Sequence, residues 1–172
     1  VIRHQEARTR AARRPAVTLS LPWALAAGLA LACAQGRAAP STFGPVIGSA
    51  LLCRSGLDNA YFHEYLSKSF GPPYKREGGA WWFRVDATLW GAQVREVMVS
   101  DDSSDLVFVA ALTDSTPEEL EKSVREAAGT AFKAVDASPH PLRRSNPGST
   151  IAYANDKSKI YCAKFKSQPA GR

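Results

Sequence analysis

Polar and apolar positions alternate most cleanly over residues 81–89. Trp81, Phe83, Val85, Ala87 and Leu89 form one set, and Trp82, Arg84, Asp86 and Thr88 form the other. A period of two marks a strand with one buried face. Trp90-Gly91-Ala92 then predicts a turn, and Gln93 to Ser100 a second strand with Val94, Val97, Met98 and Val99. After the polar connection Asp101-Asp102-Ser103-Ser104-Asp105, Leu106 to Leu112 is almost continuously apolar, as a central strand would be. Short turns between these runs predict an antiparallel meander.

The period changes to that of a helix in two places. Leu57, Tyr61, Phe62, Tyr65, Leu66 and Phe70 share one helical face. Ser55 or Asp58 is the expected cap, and Gly71-Pro72-Pro73 the stop. Further on, Thr116-Pro117-Glu118-Glu119 has the form of a capping box with proline at the first helical position. Leu120, Val124, Ala127, Ala128 and Ala131 continue at helical spacing to or past Gly129. Residues 136–149, rich in proline, read as a loop. Thr150–Tyr153 and Lys159–Phe165 read as a hairpin around Asn155-Asp156-Lys157-Ser158. No internal repeat is visible. These elements predict an α+β fold: an antiparallel sheet of about five strands with two helices packed on one face.

The first 34 residues carry a different pattern. Arg13-Arg14 precede an uncharged stretch, Ala16 to Ala32, and Ala32-Cys33-Ala34 supplies small residues at its end. That is the layout of a secretory signal, with cleavage expected after Ala34 or, second, after Ala38. Cys33 as a lipidated anchor is an alternative, as is an uncleaved membrane anchor. Residues 35–52, with Gly36, Pro40, Gly44, Pro45 and Gly48, read as a linker or loose entry. Residues 53–166 form the expected domain, and 167–172 a disordered tail. The expected location is periplasmic or secreted, with membrane attachment only through the leader or lipidation.

Charge adds little once the leader is set aside. Of 22 basic and 16 acidic residues, residues 1–34 hold five arginines and one glutamate, which leaves 17 and 15. A nucleic-acid partner is therefore not indicated. Cys53 and Cys162 are the cysteines left beyond the leader, and in an oxidising compartment they predict a disulfide.

Signals for chemistry are sparse. His63-Glu64 opens like a zinc-protease helix, but Ser67 stands where the second histidine belongs. His140 lies between prolines. No catalytic triad element, phosphate loop, metal spacing or cofactor motif is present, and no cofactor or metal is expected. Asp86 and Glu96 lie near Arg84 and Arg95, which favours cross-strand ion pairs. The aromatics say more. Trp82 alternates with polar residues, and with Arg84 and Trp90 it forms a candidate binding strip. Lys157, Lys159, Lys164 and Lys166 make the last hairpin basic, and Lys164 and Lys166 are further candidates.

The segment Phe70-Gly71-Pro72-Pro73-Tyr74 through Trp81-Trp82-Phe83 resembles the helix, glycine-proline, aromatic-strand passage of small outer-membrane assembly lipoproteins and β-lactamase-inhibitor-like domains. The resemblance covers this segment alone and assigns no residue a role. The expectation is a non-enzymatic binding domain for a protein or envelope component, using its sheet face. The alternatives are an extracytoplasmic hydrolase built on His63 or His140 with a carboxylate, and an envelope lipoprotein attached at Cys33.

Overall fold

The computed structural model describes residues 38–166. The fold is α+β, with one eight-stranded antiparallel sheet and three helices. Residues 1–34, the expected cleavage point after Ala34 and Cys33 lie outside the described residues, as does the tail from Ser167, whereas Ala38 is the first residue described.

Within the entry segment, residues 44–51 are helical. Gly44–Gly48 forms a π-helical turn that runs into helix α1 (Ser49–Leu51). Phe43, Ile47, Ala50 and Leu51 follow the i, i+4, i+7, i+8 spacing of one helical face, and all four are buried. The two glycines and the proline read as breakers, yet Pro45 sits in the first turn, where its missing N–H costs nothing. Gly48 packs against Trp90, whose indole a Cβ there would approach to an ordinary contact distance of 3.4 Å.

Helix α2 (Asn59–Phe70) starts where Asp58 accepts a hydrogen bond from the Tyr61 N–H at 3.0 Å. It stops at Gly71. Helix α3 (Pro117–Ala128) has both bonds of the capping box, and Gly129 closes it in the left-handed conformation, φ 63°.

The strands are β1 (Lys75–Glu77), β2 (Ala80–Leu89), β3 (Ala92–Ser100), β4 (Leu106–Thr113), β5 (Phe132–Ala134), β6 (Arg143–Ser145), β7 (Thr150–Ala154) and β8 (Lys157–Phe165). The sequence pattern finds β2, β3, β4, β7 and β8. It misses β1, β5 and β6, each three residues long and too short to show a period. Tight two-residue turns join the hairpins: Gly78-Gly79, Trp90-Gly91 and Asn155-Asp156 all have positive φ at both positions. This is the turn whose twist matches paired strands.

The sheet order is β1-β2-β3-β4-β8-β7-β6-β5. Helix α2 leads into four antiparallel strands, α3 leads into four more, and the two units meet where β4 pairs with β8. The topology therefore repeats although the sequence does not. All three helices pack against the same set of inward side chains, which includes Phe83, Val97, Val109, Ile151 and Ile160.

Cys53 and Cys162 are joined by a disulfide with Cα atoms 5.3 Å apart, well within the normal range. It ties the end of the entry helix to central strand β8. The sulfur pair is buried in the helix-side core.

Candidate binding face

The face of the sheet that carries no helix is not polar. One cross-strand row crosses every strand in register: Lys75, Trp82, Met98, Ala110, Tyr161, Thr150, Arg144 and Lys133. The middle of the row is apolar and both ends are cationic. Around it, Ala80, Met98 and Ala110 are buried beneath Trp82, Phe108, Leu112 and Tyr161, a second apolar cluster separate from the main core. Small residues in the strands leave a concavity of about 600 Å³ over this floor. Among the described residues Lys159 is the one charged residue that lines it; Leu142 and Ala152 close it on the β6–β7 side.

The polar side chains of this face are held at its rims. Trp82 donates its indole N–H to the Glu77 carbonyl at 3.0 Å, and the Lys75 ammonium lies 3.9 Å from its ring centre. Strand β1 therefore steadies Trp82. Arg84 stacks over the Tyr74 ring at 4.6 Å. The Tyr74 hydroxyl donates to Glu96 at 2.7 Å. Partial burial, and then this bond to a carboxylate, pushes the Tyr74 phenol up to about 12. At the far end of β2 and β3, Arg95 binds Asp114 at 2.7 Å and lies 3.6 Å from Asp86, and Lys157 binds Asp114 at 2.7 Å. Cross-strand pairing is thus the role of Asp86. Glu96 stands opposite Arg84 in register but takes its hydrogen bond from Tyr74.

The structure divides the residues singled out from the sequence. Trp82 and Arg84 lie together on the open face. Trp90 does not join them, because parity fails at the turn. Its positive φ of 52° turns the indole to the helix side, against Gly48 and the main core. Lys164 follows the parity of buried Cys162 and so belongs to the helix-bearing side. Lys166 pairs with Asp102 at 2.9 Å at the end of the sheet.

The face also contains residues that sequence reasoning passed over: Met98, Phe108, Ala110, Leu112 and Tyr161. A signal was present. The unbroken apolar run of β4 requires apolar surroundings on both faces, and a single helix layer accounts for only one.

The two histidines sit in different aromatic surroundings. His63 sits between the edges of Trp81 and Phe83, 5.5 Å from each ring centre, and packs α2 onto β2. His140 stacks on Tyr153 at 4.0 Å beside a cleft of about 180 Å³. Two carboxylates line that cleft, and both are engaged: Glu118 with Arg143, and Asp156 with the Tyr153 hydroxyl. Among the described residues no hydrogen bond joins either histidine to a carboxylate, and no three His, Cys, Asp or Glu side chains converge as metal ligands would. Asp101, in the polar connection between β3 and β4, accepts from Arg76 at 2.5 Å and from the Ser103 N–H at 3.0 Å. Among the described residues no helix is long and apolar enough to cross a membrane.

No protein-family model, curated protein or solved structure matches the chain.

Proposed function

We propose that this chain is an exported, non-enzymatic binding domain that holds a protein or envelope component on the open face of its sheet. The observation that carries this reading is the apolar floor around Met98, Ala110 and Tyr161, uncovered by any described element. An apolar patch of that kind rimmed by polar residues marks an interaction surface. The leader pattern supports a periplasmic or secreted location, and so does the disulfide.

The test is site-directed photocrosslinking in cells. A crosslinker at Ala110 or Ala163 is expected to give a discrete adduct, and one at Glu126 on the outer side of α3 none. The adduct should disappear with Trp82→Ala combined with Arg84→Ala while the circular dichroism is kept. Equal labelling from all three positions, or none, would sink the reading. Intact mass of the same material shows whether the chain begins after Ala34, after Ala38 or at a lipidated Cys33.

A further inference from the structure

We infer that the occupant of the open face is an amphipathic helix of a partner protein whose apolar stripe is flanked by carboxylates. The inference rests on the binding role proposed above and deepens it. Three features of the face lead to it.

The first is shape. The apolar floor runs from β2 through β3 and β4 to β8, three strand spacings or roughly 14 Å. A helix is about 10–12 Å across with its side chains. Alanines at 110, 152 and 163 line the concavity together with the larger Trp82, Phe108 and Leu142. An open trough of this width covers one side of a helix, the mode in which an apolar stripe is laid into a groove. It would leave most of a single lipid chain in water, whereas small-molecule sites enclose most of their ligand.

The second is charge. Arg84 and Lys159 stand beside the floor, and Arg144 and Lys133 extend the central row on the β6–β5 side. Among the described residues none of these four has an ion-pair partner. The carboxylates of the face do have partners: Glu77 with Lys75, Glu96 with Tyr74, and Asp86 and Asp114 with Arg95. An incoming surface therefore meets unpaired cations along the trough and acids already engaged. A second copy of this chain laid face to face would set cations against cations, so the pattern selects against self-association.

The third is the sheet margin. Both edge strands, β1 and β5, are three residues long. They offer too little free backbone for an added strand, which removes the other common way a sheet takes a peptide.

The experiment compares two synthetic peptides of about five helical turns. They share one leucine stripe on an alanine scaffold and differ only in glutamate or lysine at the flanking positions. Binding to the mature disulfide-bonded domain is followed by calorimetry and by methyl NMR of Met98. The glutamate peptide should bind about tenfold or more tighter than the lysine peptide at low salt, and the gap should shrink at high salt. Arg84→Glu with Arg144→Glu should reverse the preference, and Ala163→Arg, at a partly exposed position of the same concavity, should abolish both complexes with the fold intact. Equal binding of the two peptides overturns the inference. So does binding of neither peptide: if crosslinking at Ala110 still yields a partner, the face stands as a binding site and only the helix is wrong; if it yields none, both fall. Preferential binding to phosphatidylglycerol vesicles over the glutamate peptide would also overturn it, in favour of a lipid surface.

Discussion

The two faces of the sheet are built from the same kinds of side chain and differ in what lies over them. On one, Phe83, Val97, Val109 and Ile160 are covered by three helices. On the other, among the described residues, Met98 and Ala110 are covered only by their neighbours, and Trp82, Phe108, Leu112 and Tyr161 remain partly exposed. Burial of apolar area contributes about 25 cal/mol per Å². The helix face has collected that contribution on folding, whereas the open face still holds part of it for an event after folding. The helix face should therefore govern stability and the open face recognition.

The strongest way to break this division is Phe83→Ala. It removes a fully buried ring from under the helices and should cost about 3–5 kcal/mol, measured by urea unfolding at neutral pH. The same experiment on Cys53→Ser with Cys162→Ser tests how much of the helix face depends on the covalent tie. Opening a loop of 109 residues in sequence separation should cost about 2–5 kcal/mol. Thr116→Ala, which removes the cap that starts α3, should cost about 1 kcal/mol.

Acid provides a finer probe at the margin of the helix face. Hydrogen bonds from Ser103, and then from Arg76, hold the Asp101 carboxyl down to about 2. The unfolded value is about 4. Its contribution is therefore present above about pH 4 and is lost as pH falls toward 2. Asp101→Asn should be less stable than the parent at pH 6, and the difference should close across that acid window in thermal melts. The smallest effect belongs to the open face. Phe165 is 80% exposed, and Phe165→Ser should change stability by no more than about 0.5 kcal/mol. An effect above 1–2 kcal/mol would mean that the open face is part of the folding core and the division is wrong.

The legibility of the sequence follows the same line. Elements with a long period and chemical punctuation are readable: β2 from its alternation, α3 from its capping box, the disulfide from the two cysteines beyond residues 1–34. Elements without a period are not. β1, β5 and β6 are too short to express one, and the entry helix hides its buried face among two glycines and a proline. For the candidate site, Trp82 and Arg84 could be placed on one face because β2 alternates through them. Trp90 was misplaced because a positive φ at the turn cancels the parity count. Tyr161 and Ala110 emerged only once β4 and β8 were paired, since a register between strands 50 residues apart is a tertiary fact.

The disulfide also decides where mechanical load can travel. A pull applied to the chain before Cys53 and after Cys162 passes from one sulfur to the other and never enters the polypeptide between them. Helices α2 and α3, strands β1 to β7 and most of β8 lie inside that closed loop. A load applied across the two ends of the domain therefore leaves nearly the entire sheet shielded from tension, and the open face keeps its shape for as long as the sulfur bond stays oxidised.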